Sequence, residues 1–161
     1  MEFFYPNFQN DMWRIMGQIF YGDKHFFECR EERRFDKESV VKFCAEQGIA
    51  LYDAACEVRR LKDNASDKFL EIVTPTDIAA ILAQMPSCGA IVTTGEKATE
   101  IASAVLGCEM PSVGASVEVA FVGRKIRLWR MPSSSRAYPV AVEKKAEVYR
   151  KMLVAEGLLK E

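Results

Sequence analysis

Apolar side chains recur at helical spacing in several stretches of the chain, separated by short unbroken apolar runs. In residues 10–20, Trp13, Met16, Gly17 and Phe20 fall three or four positions apart. This predicts a helix with Asn10 as its cap and Asp11 in the first turn. Residues 21–35 mix aromatic and charged side chains without a period and predict a long loop. Helical spacing returns over 38–47, with Val40, Val41, Phe43 and Cys44 inward, Ser39 as cap and Gly48 as stop. The apolar run 49–53 that follows predicts a buried strand, and 59–67 predicts a polar loop. Thr74, Pro75 and Asp77 have the order of a capped helix start, with Thr74 as cap and the helix running to Gln84. Residues 89–94 predict a second buried strand, turned by Gly95 into a helix over 96–106 that Gly107 ends. Residues 117–122 and 125–130 flank Gly123-Arg124 as the arms of a hairpin, and a last helix covers 139–156 before Gly157.

Helices alternating with short buried strands predict an α/β protein. The expected architecture is a three-layer α/β/α arrangement with a mostly parallel central sheet, in a single domain over 1–161. In such sheets ligands lie beyond the carboxyl ends of the strands, which directs attention to the loops 59–67, 93–96 and 131–136.

Composition narrows the function classes. Of 161 residues, 49% are hydrophobic and 28% charged, the balance of a folded domain rather than a disordered chain. No run reaches the roughly 18 apolar residues that a spanning helix needs, so no membrane partner is expected. The N-terminal residues lack the basic start and apolar core of a secretion signal. Five cysteines (Cys29, Cys44, Cys56, Cys88 and Cys108) form an odd set without Cys-x-x-Cys spacing. That argues against a disulfide framework, a zinc knuckle or an iron–sulfur cluster, and predicts reduced thiols in a cytoplasmic protein. A single histidine, His25, argues against a Ser-His-Asp apparatus and a multi-histidine metal site.

The net charge of −1 hides an asymmetry. From Arg124 to Lys151 there are nine Lys/Arg and two acids, whereas residues 1–122 carry twelve basic and nineteen acidic side chains. A polarised chain of this kind can turn a basic face toward a polyanion, or can simply solvate a C-terminal helix. Thr94-Gly95 lies at a strand-to-helix turn, where free backbone N–H groups can hold an anion, but it lacks the spacing of a P-loop or dinucleotide fingerprint. Pro132-Ser133-Ser134-Ser135-Arg136 combines a stiffened loop, three hydroxyls and a forked cation, a set suited to phosphates. Phe3, Phe4, Tyr5 and Phe8 could stack on an unpaired base or pack a terminus. Asp53, Asp63 and Asp67 are candidate water-activating carboxylates, with nothing in their spacing to select one.

Three blocks, in order and over nearly the whole chain, resemble the uracil-DNA glycosylase superfamily, nearest its mismatch-specific uracil/thymine and hypoxanthine branch. The first is 3–13, with Phe3, Phe4, Tyr5, Pro6, Asn10 and Trp13; Met12 stands where phenylalanine is usual. The second is the strand, glycine and helix of 90–98. The third is Met131-Pro132-Ser133-Ser134-Ser135-Arg136 with the amphipathic segment 143–150 after it. The resemblance implies recognition of a modified or mispaired base (uracil, hypoxanthine, or thymine opposite guanine) in double-stranded DNA by base flipping, with excision in an active member. It implies stacking on the base by Phe3, Phe4 or Tyr5 and a pocket bordered by Asn10, Asn64, Ser66 and Asp67. It implies DNA contact by Met131, Pro132, Ser133, Ser134, Ser135 and Arg136, and no metal or cofactor. The family's first motif, a strand ending in Gly-x-x-Pro with the residue that positions water, has no counterpart ahead of Phe3. No catalytic residue is therefore assigned. The alternative expectation is a truncated or degenerate, inactive member that binds nucleic acid or protein, and a missing strand supplied by a second copy would make it a homo-oligomer. Met131 occupies a position usually held by a polar residue, and a thioether donates no hydrogen bond to a base carbonyl. A third expectation is a nucleotide-binding module built on the Thr94-Gly95 turn.

Overall fold

The computed structural model describes Tyr5 and residues 8–51, 55–60, 70–75 and 77–160. Phe3, Phe4, Asp53, Asp63, Asn64, Ser66 and Asp67 lie outside these residues. In chain order the elements are α1 (Met12–Tyr21), β1 (Glu28–Cys29), β2 (Arg34–Phe35), α2 (Lys37–Gln47), β3 (Ala55–Arg60) and β4 (Leu70–Pro75). After them come α3 (Ile78–Ala83), β5 (Ala90–Thr94), α4 (Glu96–Leu106), β6 (Ser116–Phe121), β7 (Arg124–Met131) and α5 (Val142–Ala155). They form two compact units: Met1–Leu51 with Pro132–Glu161, and Tyr52–Met131.

In the first unit α1 packs on α5. Met12, Trp13, Arg14, Ile15, Met16 and Gly17 are all buried, so the first turns of this helix are enclosed on every side, whereas its end at Tyr21 is exposed. Its cap position is Asp11, not Asn10; Asn10 instead accepts the Met12 N–H at Oδ1 (2.9 Å), and the Asp11 carbonyl takes the first helical bond. The segment expected to be a loop folds a small β1–β2 hairpin around a 3-10 turn at Arg30–Glu32. Asp36, not Ser39, caps α2: its carboxylate accepts both the N–H and the hydroxyl of Ser39. The expectation failed because both residue types cap well, and only the fold decides, through the Asp36 N–H that donates to the Phe27 carbonyl (2.7 Å). Val40 and Phe43 are buried, but Val41 is exposed. The last helix begins at Val142 rather than 139, and its burial falls on Lys145, Ala146, Tyr149, Met152 and Leu153.

The second unit holds a three-stranded sheet of order β5-β7-β6, with β5 parallel and β6 antiparallel to β7. The sheet is thus mixed, not mostly parallel, among the described residues. Leu128, Ala102 and Leu106 are buried together between the sheet and α4, with Ile91, Val117, Val119 and Phe121 packed against them. The tight turn is Val122-Gly123, one residue earlier than expected. Both residues have positive φ (46° and 79°), the twist that matches two paired strands. Strand β5 is only half covered, and Val92 is exposed. The Arg124 guanidinium donates to the carbonyls of Leu82, Met85 and Cys88 (2.8–3.1 Å), closing the C-terminal end of α3.

Three expectations fail around the β3–β4 pair. Residues 49–51 carry no regular structure, and the strand lies at Ala55–Arg60. Arg59 and Arg60, read as loop, are paired with Glu71 and Leu70. Thr74 and Pro75 end a strand, and Asp77 caps α3 by accepting the Ala80 N–H (3.0 Å). A cap-proline pattern and a strand end share the same extended backbone, so the local sequence does not separate them.

Candidate nucleic-acid interface

The candidate site lies in the first unit, where two segments more than 120 residues apart in sequence are joined edge to edge. The Asp11 N–H donates to the Ser134 carbonyl (2.7 Å), the Arg136 N–H donates to the Gln9 carbonyl (3.1 Å), and Asn10 and Ser135 form a bridge. Two side chains of α5 fix the loop from beneath. The Tyr149 hydroxyl donates to the Pro132 carbonyl (2.8 Å) and the Lys145 ammonium to the Ser135 carbonyl (3.0 Å). Burial pushes the Tyr149 hydroxyl well above its ordinary pKa, so it keeps the proton that it donates. The serines also stiffen the loop: Ser133 Oγ accepts the Ser135 N–H and Ser135 Oγ accepts the Ala137 N–H.

Asp11 is the electrostatic centre. Its carboxylate is 2.9 Å from Arg14, 3.3 Å from Arg136 and 3.9 Å from Lys145. Arg14 is itself buried, bonded to Glu28 (2.9 Å) and the Asn10 carbonyl (3.2 Å), with the rings of Phe8 and Phe35 at 4.5 and 5.1 Å. Glu28 continues the network to His25 Nδ1 (2.8 Å). Burial raises the Glu28 pKa, but the bonds from His25 and Arg14 outweigh it and hold the carboxyl below its ordinary value. Lys145 has no exposed side-chain surface. Burial lowers its pKa, Asp11 opposes that, and Arg136 adds to it. The ammonium lies 5.6 Å from the Tyr138 ring.

Above this network is an open cleft of about 460 Å³ lined by Asp11, Lys24, Arg136 and the stretch from Tyr138 to Glu143. Lys24 pairs with Glu143 across it (3.0 Å). Of the residues expected to face DNA, Arg136 is exposed, Ser133 and Ser135 are half-buried, and Met131, Pro132 and Ser134 are buried. A buried Met131 and Ser134 leave Arg136 as the loop's forward charge. Among the expected stacking residues, Tyr5 packs edge-on against Trp13 (6.4 Å). Asn10 spends its side-chain oxygen on the Met12 N–H, which makes it a positioning group for the segment.

The Thr94-Gly95 turn of the second unit is tied internally. The Gly95 N–H donates to the Met131 carbonyl (3.1 Å), the Thr99 hydroxyl donates to the Gly95 carbonyl (2.7 Å), and Glu96 puts an acid in the first turn of α4. That acid opposes an incoming phosphate. No cluster of three or more metal-ligating side chains occurs among the described residues. Cys29, Cys44, Cys88 and Cys108 are free thiols. No helix among the described residues is long and apolar enough to cross a membrane.

Sequence reasoning passed over Arg14, Lys24, Tyr138 and Lys145. For Lys145 a signal existed: it precedes Tyr149 and Met152 by four and seven positions, on the buried stripe of α5. For Arg14 the signal was its place between Trp13 and Ile15, three residues from Asp11. No family model matches the chain, nor does any curated protein or solved structure.

Proposed function

We propose that the chain is a DNA-binding protein of the uracil-DNA glycosylase type, a three-layer α/β/α domain that recognises a modified or mispaired base in a duplex. One observation carries the reading. Parts of the first and third blocks, 8–13 and 132–136, lie far apart in sequence yet meet through the Asp11–Ser134 and Arg136–Gln9 backbone bonds. A stiff loop held at its edge by residues 9–11 and from beneath by α5, with an exposed Arg136, can press on a phosphate backbone without first being ordered.

A second reading, binding without excision, has its own support. Breaking a glycosidic bond develops positive charge on the sugar, which a free carboxylate or an activated water would stabilise. Asp11, the buried carboxylate of the site, already faces Arg14, Arg136 and Lys145. Three cations leave it little negative field to offer a sugar cation.

The test is an excision assay on duplexes carrying uracil, hypoxanthine or a G·T mismatch, run beside duplex binding at low salt. Excision of any of these bases supports the glycosylase reading. Binding with no excision selects the second reading. Absence of duplex binding at low salt refutes both, because phosphate contacts dominate affinity there.

A further inference from the structure

Two large aromatic rings of the first unit lie at the surface in a fixed arrangement. Tyr21 ends α1 and Phe26 closes the turn after it; their rings stack at 3.8 Å with planes 6° apart, and each residue is 45% exposed. Buried Phe27 stands edge-on to both. The turn is held by its backbone: the Asp23 N–H donates to the Gly17 carbonyl (3.2 Å) and the Phe26 N–H to the Asp23 carbonyl (3.1 Å). A Cβ at Gly17 would stand 2.6 Å from the Asp23 carbonyl oxygen, so glycine there lets the turn lie against the helix. The same turn carries Lys24, which lines the cleft that also holds Arg136. The Lys24–Glu143 pair is well exposed on both sides. Such pairs contribute little and exchange readily for another anion.

We propose that the Tyr21–Phe26 stack, with Lys24, is a platform for an unpaired nucleic-acid strand, one base stacking on the rings and its phosphate meeting the ammonium. The proposal rests on the DNA-binding reading above and extends it to single-stranded substrate beside the cleft. Aromatic faces accept any base, and a neighbouring cation follows the backbone, the combination that sequence-tolerant strand binders use. The rings are too small a patch for a protein partner: two half-exposed aromatics offer far less than the roughly 800 Å² per partner of a stable interface. The same turn exposes Asp23 beside Lys24, so net charge does not select the occupant; a nucleotide uses both the rings and the Lys24 ammonium, whereas an apolar peptide uses the rings alone.

The experiment measures fluorescence anisotropy of labelled oligothymidylate and of an undamaged duplex with the wild-type chain, Phe26→Leu, Phe26→Trp and Lys24→Ala. Phe26→Leu keeps apolar bulk without a π-face, and its folding is checked by circular dichroism. The expected result is oligothymidylate binding that weakens about 10-fold in Phe26→Leu, the scale of one lost stacking contact. Phe26→Trp retains binding, and Lys24→Ala lowers the salt slope by about 0.7, the value for one phosphate of a single strand. If Phe26→Leu binds oligothymidylate like the wild type while the duplex is still bound, the platform is refuted and the DNA-binding reading stands. If neither nucleic acid is bound, that reading fails and takes the platform with it. If the wild type ignores oligothymidylate but self-associates in sedimentation, and Phe26→Leu does not, the patch is a protein contact and the proposal is overturned.

Discussion

Replacing Arg14 by methionine removes the buried cation that joins Asp11 to Glu28 while keeping an unbranched side chain of similar length. The change deletes bonds to Asp11 (2.9 Å), Glu28 (2.9 Å) and the Asn10 carbonyl (3.2 Å), together with the contacts to the Phe8 and Phe35 rings. Asp11 keeps Arg136 and Lys145, and Glu28 keeps His25. The side chains of Asp11 and Glu28 are only 6% and 4% exposed, so neither carboxylate recovers its hydration. Breaking one side of a buried pair costs about 3–5 kcal/mol, and the remaining partners place Arg14→Met toward the lower end, near 3 kcal/mol. A pH dependence accompanies it. Glu28 titrates below its ordinary 4.5 in the folded chain, so its contribution is present above that value and is lost as pH falls through the folded pKa. Without Arg14 that depression shrinks, and acid unfolding moves to higher pH. Urea denaturation followed by circular dichroism at neutral pH, with an acid titration of both proteins, reads the two effects. A loss below about 1 kcal/mol at unchanged m-value, or an acid midpoint that does not rise, would refute the account of Arg14 as the link between the two buried carboxylates.

Trp13→Ala empties a site only 1% exposed, between Tyr5 and Phe27; the expected cost is about 3–5 kcal/mol in the same denaturation assay. Val122→Asn should stabilise the second unit by about 1 kcal/mol, visible as a raised melting temperature. A β-branched residue at φ 46° is strained, and asparagine is favoured before glycine in this turn. Arg136→Ala should weaken duplex binding uniformly across sequences and flatten the salt slope by about 0.9, with excision or binding specificity unchanged in rank.

Elements that carry their own punctuation were legible in the sequence. The stops at Gly48, Gly107 and Gly157 are all left-handed (φ 70°, 74° and 79°), a backbone state that glycine adopts without cost. The hairpin arms β6 and β7 were legible from alternation, and α4 from its periodicity between two glycines. What was not legible depends on distant partners. Asp36 outcompetes Ser39 as a cap because the Phe27 carbonyl fixes its backbone. Thr74-Pro75 ends a strand because Ala55 and Glu57 pair with it. The site was half legible: the two segments were marked by their residues, but their meeting depends on Lys145, Tyr149 and Asp11, and a charge count along the chain has no term for a buried lysine.

That last point changes what the basic C-terminal third can do. Nine cations between Arg124 and Lys151 read as a polyanion-binding face. Arg124 instead spends its guanidinium on three carbonyls of α3 and the turn after it, Arg130 donates to the Pro111 carbonyl, and Lys145 is enclosed beneath the Ser135 loop. At the cleft two cations reach solvent: Arg136, and Lys24 from the acidic part of the chain. Each must first give up a carboxylate, Asp11 or Glu143, to take a phosphate. Neutralising two phosphates gives a salt slope near −2 on a duplex, shallow for a DNA-binding protein. Charge would then supply a modest affinity at low salt, and discrimination would rest on what the loop and the cleft do to a base. A measured slope steeper than about −5 would mean instead that exposed cations beyond the cleft, such as Lys144, Arg150 and Lys151, carry the contact.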